Sequence, residues 1–158
     1  MQFIDFVKPE NIIVSLESTE KDVLFAEMVE SLVRSNPSLN RNEVISAICE
    51  RESKKNTAIL PGVAVPHAEI SSIKSPLVCI GISRNGVDYE IESVESKNYR
   101  SSFVHLVFLI LFEKGNMERH LHLLSDCARL FQIPDFLNSV VTAASAQEVF
   151  STIKEFED

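Results

Sequence analysis

The sequence predicts an α/β protein, a β-sheet with helices packed on both faces, and three observations carry that expectation. Residues 103–112 form a ten-residue apolar run broken only by His105, apolar on both alternating sides, as a central strand covered on each face requires. Shorter apolar or β-branched runs at residues 12–14, 62–67 and 77–82 supply further strands. Segments with helical apolar spacing stand before and after them. A sheet that is apolar on both sides is completed by a layer of helices on each.

Taken in order, the chain opens with Ile12-Ile13-Val14, short, β-branched and preceded by Pro9, which marks an edge or entry strand. Thr19 and Asp22 form a capping pair, and Val23, Leu24, Met28, Val29, Leu32 and Val33 then recur at helical spacing, predicting a helix over residues 20–34. Asn36-Pro37-Ser38 interrupts the chain. Asn40 with Glu43 caps a second helix, apolar at Val44, Ile45, Ile48 and Cys49 and ending at Arg51-Glu52-Ser53. Strand-like segments follow, and Asn85-Gly86 reads as a turn. Residues 92–102 are a polar, exposed excursion before the central strand. Beyond Gly115, a third helix carries Leu121, Leu124, Cys127, Ala128 and Leu130 and is punctuated by Pro134. Ser145 with Glu148 caps a last helix through Phe150 and Ile153.

Composition limits the classes of function. The 158 residues carry 15 Lys plus Arg against 23 Asp plus Glu, a formal charge of −8, with 45% hydrophobic residues. A chain of this length buries roughly 70% of its unfolded surface, enough for one core, so residues 1–158 are expected to form one domain. Four glycines and six prolines exclude collagenous or low-complexity structure. The acidic balance, without a Lys/Arg cluster, argues against binding nucleic acid or an anionic membrane. Cys49, Cys79 and Cys127 are isolated among apolar neighbours and read as small buried hydrophobes in a reducing compartment. The first residues lack the pattern of a secretory signal, and the longest apolar run is far short of the ~20 residues of a membrane span. A cytoplasmic location is expected.

Four histidines are the candidate chemistry. His67 follows Pro66, which fixes its own φ and biases Val65 toward an extended conformation, and Gly62 stands five positions upstream. That frame holds an imidazole rigidly at a strand end, as a nucleophile requires, though a histidine that merely ends a strand fits the same residues. His120 and His122, two apart at a helix start, point in different directions and make a poor metal pair. One of them can face a site at the sheet edge; solvated surface histidines are the plainer reading for both. His105 in the central strand reads as a hydrogen-bonded core histidine. Arg51 suits a phosphate, and equally suits the C-terminus of a helix dipole. No G-x-S-x-G, Walker loop, G-x-G-x-x-G or C-x-x-C motif is present.

Arg51-Glu52, Thr57, Gly62-Val63-Ala64-Val65-Pro66-His67 and His120-Leu121 stand together in the order and spacing of a known pattern. On those residues the chain resembles the enzyme IIA domain of the phosphoenolpyruvate-dependent phosphotransferase system, of the fructose/mannitol and nitrogen-regulatory class. The resemblance implies a mixed β-sheet flanked by helices on both faces. It implies a phosphocarrier in which His67 accepts a phosphoryl group from the histidine-containing phosphocarrier protein HPr. His120 would hydrogen-bond the phosphoryl oxygens or orient the first imidazole, and Arg51 would offset phosphoryl charge. No cofactor or metal is implied. The acceptor would be a separate transporter domain or a regulatory target, and His120-x-His122 favours the nitrogen-regulatory type. Two other readings stand beside it: an interaction module that has lost phosphorylation, and a histidine-based metal-binding protein. Departures from the family pattern are Ala68 for the usual glycine, His105 for an often acidic residue, and Glu113 where proline is frequent. Residues 88–102 also lack the usual aspartate-glycine. Glu113 and Glu118 are expected to repel an incoming phosphate.

Overall fold

A computed structural model describes residues 2–58, 60–89 and 103–158. A 3-10 turn, Phe3–Phe6, leads into β1 (Val7–Ile13), α1 (Lys21–Ser35), α2 (Arg41–Lys54), β2 (Val63–Ala64), β3 (His67–Ile70), β4 (Leu77–Asp88), β5 (Phe103–Glu113), α3 (Met117–Gln132), α4 (Phe136–Val141) and α5 (Ala146–Glu157). The sheet order is β1-β4-β5-β2, with β3 also paired to β5. β1 runs parallel to β4, and β2 and β3 run parallel to β5, while β4 and β5 are antiparallel, so the sheet is mixed.

Side chains of β5 alternate between two apolar layers. Leu106, Phe108, Ile110 and Phe112 face α3, α4, α5 and the 3-10 turn, whereas Val107, Leu109 and Leu111 face α1 and α2. This is the double-sided burial expected of a central strand. Phe108 anchors the first layer, stacking on Phe3 at 4.8 Å and meeting Phe131 and Phe136.

Local signals explain most boundaries. The Asn40 side chain accepts from Glu43 N at 3.0 Å, and Ser145 Oγ accepts from Glu148 N at 3.1 Å, as the two capping patterns predict. α1 begins differently. Its N-cap is Glu20, with no side-chain cap, and the Thr19 carbonyl instead accepts from Asp88 N. β1 is an edge strand, as Pro9 requires, and its register against β4 breaks between Val7 and Ile12.

Asn85-Gly86 does not reverse the chain. β4 continues through it, with a register irregularity between Ile82 and Val87, and Gly86 takes φ +91° while its N–H donates to Ser83 Oγ. A turn dipeptide here serves as a bulge inside a long strand. A second irregularity faces it on β5, where His105 N and Leu106 N both donate to the carbonyl of Gly62, whose φ is +83°. His105 is half-buried and its Nδ1 donates to the Ser83 carbonyl at 2.9 Å, the hydrogen-bonded role expected of it. The expected excursion at residues 92–102 lies outside the described residues.

Candidate functional site

β2 and β3 occupy the same edge of β5 without a register slip: Ala64 pairs with Val107 and His67 with Ile110. Between them, Val65-Pro66 interrupts the strand, with only the Pro66 carbonyl still bonded to β5. Pro66 has no N–H to give, and its carbonyl accepts from Ile110 N. The Val65 carbonyl accepts instead from His67 Nδ1 at 2.7 Å. A carbonyl oxygen only accepts, so Nδ1 carries the proton and Nε2 holds the free lone pair. Burial lowers the His67 pKa from its ordinary value, opposed by the bond to Val65 and assisted by the Arg51 charge. The imidazole is thus kept neutral, in one tautomer and in one orientation, which are the requirements for nitrogen nucleophilicity.

Because β3 is an edge strand, a helix from each layer reaches past it, and the two enclose a cleft of about 540 Å³. α2 contributes Glu50, Arg51 and Lys54; α3 contributes Met117, His120 and Leu121; His67, Glu69 and Lys114 complete the rim. His67, His120 and Arg51, separated by up to 69 positions in sequence, therefore meet in one cleft. Arg51 is further held by donating from Nη1 to the Lys55 carbonyl at 2.9 Å.

The two histidines share a ring. Phe112 lies edge-on to His67 at 6.0 Å and stacks on His120 at 4.3 Å. His120 is buried, and its Nε2 donates to Glu113 Oε1 at 3.2 Å while its Nδ1 lies 3.8 Å from Glu69 Oε1. His122 instead is exposed and pairs with Asp126 outside the cleft. The two histidines do point apart, and only His120 faces the site.

The expectations for Glu113, Glu118 and Leu121 change here. Glu113 does not confront an incoming anion: it is buried, donated to by Arg119 Nη1 at 2.6 Å and by His120. Glu118 lines a separate depression with Phe6 and Arg119. Ala68 sits inside β3 facing the α2 layer, and its backbone uses no positive φ, so a glycine's freedom is not needed there. Leu121, counted as an apolar marker of α3, is 60% exposed beside Met117 at 59%, and both belong to the cleft rim rather than to the core.

The sequence alone assigned no site role to Glu69 or Phe112, saw Val65 only as an extended residue before Pro66, and gave Glu113 a repelling role in place of an anchoring one. Phe112 carried no signal apart from core patterning. Glu113, Arg119 and His120 offered one in retrospect: an acid ending a strand, with a cation and a histidine on the first turn of the next helix.

Comparison with known proteins identifies the family. Residues 5–156 match the family model for the phosphoenolpyruvate-dependent sugar phosphotransferase system, EIIA 2. The chain is 30% identical over 157 residues to the PTS system fructose-specific EIIABC component of Bacillus subtilis, covering 99% of this chain but spanning only 24% of that relative. It is 26% identical to a nitrogen regulatory protein of Bradyrhizobium diazoefficiens, over 97% of this chain and 95% of the relative. Among solved structures, nitrogen regulatory protein IIA-Ntr of Neisseria meningitidis matches with a TM-score of 0.83 at 25% identity, over 95% of this chain and 97% of that one. IIA mannitol of Escherichia coli shares the fold, with a TM-score of 0.74 at 18% identity over 93% and 98% of the two chains. With a family model spanning nearly its whole length, this chain belongs to the EIIA 2 family of the phosphoenolpyruvate-dependent sugar phosphotransferase system.

Proposed function

We propose that residues 1–158 act as one phosphocarrier domain in which His67 Nε2 takes a phosphoryl group from an HPr-type phosphohistidine donor and hands it on. The tie between His67 Nδ1 and the Val65 carbonyl carries this reading, because it leaves a nucleophilic lone pair on a fixed ring in a cleft with three cationic side chains. The Nε2 lone pair attacks phosphorus in line, the donor's N–P bond breaks, and the donor imidazole leaves with the electron pair. The phosphorylated His67 ring keeps its Nδ1 proton and so becomes cationic, and the Val65 carbonyl supports that charge. Arg51, Lys54 and Lys114 offset the phosphoryl oxygens. His120, fixed at Nε2 by Glu113, offers Nδ1 to a phosphoryl oxygen once that nitrogen is protonated. The exposed Met117 and Leu121 supply the apolar rim against which a protein partner desolvates the cleft.

The regulatory, nitrogen-type version of this function is the preferred one, in the cytoplasm and with a regulatory protein as target; among the described residues no helix is long and apolar enough to cross a membrane. The likeness to the Neisseria protein, at a TM-score of 0.83 against 0.74 for the mannitol protein, supports it. The second reading, a fructose-type carrier feeding a separate transporter chain, is favoured by the 30% identity to the Bacillus subtilis fructose component. The test is intact mass after incubation with phosphoenolpyruvate, enzyme I and HPr. An acid-labile gain of one phosphate in the wild type and none in His67→Ala is expected. No gain in the wild type with a donor known to be active would overturn the carrier reading in favour of an interaction module.

A further inference from the structure

Beneath the cleft lies a buried acid that the phosphoryl chemistry does not touch. Glu52 stands on the last turn of α2, next to Arg51 but facing inward, and is 6% exposed. Its Oε1 accepts from Thr57 N at 2.9 Å and its Oε2 from Thr57 Oγ1 at 2.8 Å. Lys21 Nζ, 3.2 Å from Oε1, supplies the countercharge and lies 4.5 Å above the Tyr89 ring. The Thr57 hydroxyl hydrogen is already committed to its bond with the carboxylate, so Tyr89 OH, 2.9 Å away, donates to the Thr57 oxygen. Burial of the phenol pushes its pKa up and preserves that proton. Thr57 is thereby held at its amide and at its hydroxyl, and its remaining polar atom, the carbonyl, accepts from Val65 N at 3.1 Å. The next link is the Val65 carbonyl on His67 Nδ1.

We propose that Glu52 is a positioning residue for His67, acting through Thr57 to clamp Val65 so that the Val65 carbonyl selects the Nδ1–H tautomer and aims Nε2 into the cleft. The inference rests on the reading of His67 as the phosphoryl acceptor. A neutral fold requirement would be met more simply by an apolar side chain at position 52. A buried ion pair often contributes little net stability against an apolar replacement, and specifying one arrangement is the role left to it here. The carboxylate grips both Thr57 donors at once, which a hydroxyl or methyl group cannot do. Glu52 also acts on His67 through space. After burial, which lowers the His67 pKa, and the Val65 bond, which raises it, the Arg51 charge lowers it, the Glu52 charge raises it and His120 lowers it.

The test separates positioning from folding and from the carrier reading itself. Imidazole nitrogen chemical shifts of His67 are followed by NMR across pH in wild type, Glu52→Gln, Thr57→Val and Thr57→Ser, without any phosphoryl donor. In the wild type the shifts should report a protonated Nδ1 and a bare Nε2. Glu52→Gln should move them toward a mixture of tautomers and lower the titration midpoint, since a negative charge is lost; Thr57→Val should change the tautomer mixture, and Thr57→Ser should restore the wild-type pattern. In single-turnover phosphorylation by HPr, the maximal rate should fall at least about tenfold in Glu52→Gln with the donor KM unchanged, because the cleft surface is intact. Where Glu52→Gln proves unstable, Thr57→Val, which keeps the Lys21 pair, answers the same question. Folded variants whose shifts, midpoint and rate equal those of the wild type would overturn the proposal, even if their stability had dropped. A wild type that takes no phosphate would overturn the carrier reading and leave the NMR comparison to decide the positioning alone.

Discussion

Glu113 offers a perturbation in which two views of the site predict opposite signs. As a carboxylate near a phosphate site it should impede phosphorylation; as the buried anchor of His120 it should promote it. In the structure it receives a charge-assisted bond from Arg119 Nη1 at 2.6 Å and one from His120 Nε2 at 3.2 Å. Truncation to alanine strands His120 Nε2–H in the interior, where losing a bond to a charged partner costs about 1.5–3 kcal/mol. Arg119 is one-third exposed and can turn to solvent, so its lost pair adds no more than about 1 kcal/mol. Together Glu113→Ala should destabilise by about 1.5–4 kcal/mol. For a chain of this size that lowers Tm by roughly 3–16 °C, at about 2–4 °C per kcal/mol. Glu113→Gln keeps an acceptor for His120 and loses only the charge facing Arg119, so about 1 kcal/mol is expected. Thermal and urea unfolding measure the stabilities, and phosphorylation by HPr measures the function, with both variants expected to be slower than the wild type and alanine the slower of the two. Faster phosphorylation of a stably folded Glu113→Ala, or a stability loss below about 0.5 kcal/mol, would refute the anchoring argument.

Three further outcomes follow from the same geometry. Glu69 lies in the cleft with its oxygen 3.8 Å from His120 Nδ1, and a phosphoryl group on His67 adds nearly two negative charges beside it, so Glu69→Gln should raise the equilibrium phosphohistidine fraction; its side chain is 42% exposed, which limits the gain to a few-fold, about 0.5–1 kcal/mol, read by intact mass at a fixed donor ratio. The rate of phosphorylation should rise with pH through a midpoint below the ordinary histidine value of about 6.5, because only the neutral imidazole has a lone pair at Nε2 and burial disfavours the charged form; a midpoint above 6.5 in a stopped-flow pH series would contradict the burial argument. The linked stability has a definite sign, since the unfolded His67 binds a proton more readily than the native one: stability falls as pH drops from about 6.5 through the lowered native value.

The fold was legible where a single local rule acted alone. The alternating apolar faces of residues 103–112, and the side-chain caps at Asn40 and Ser145, translated directly into β5, α2 and α5. Rules that compete were read less well. Thr19 and Asp22 have the right spacing for a cap, but the Thr19 carbonyl is drawn into a bridge region with β4, and α1 starts one residue later at Lys21. Asn85-Gly86 supplies the positive φ of a hairpin, yet the strand pairing on both sides persists and absorbs it as a bulge. Of the candidate site, His67, His120 and Arg51 were visible because family spacing marks them, whereas their relative placement depends on helices from opposite layers meeting at one sheet edge. Phe112 was hidden by its double service: the same apolar residue that fills the core also separates the two imidazoles.

The interruption of the edge strand at Val65-Pro66 has a genetic consequence. The group that orients the His67 imidazole is a main-chain oxygen, and every amino acid at position 65 carries one. Saturation mutagenesis scored on phosphorylation should therefore tolerate at position 65 any replacement that fits the buried site and keeps its N–H for the Thr57 carbonyl, while recording losses at its neighbours in space. A catalogue of sensitive positions would record how the side chain at position 65 packs and miss the oxygen that holds the ring.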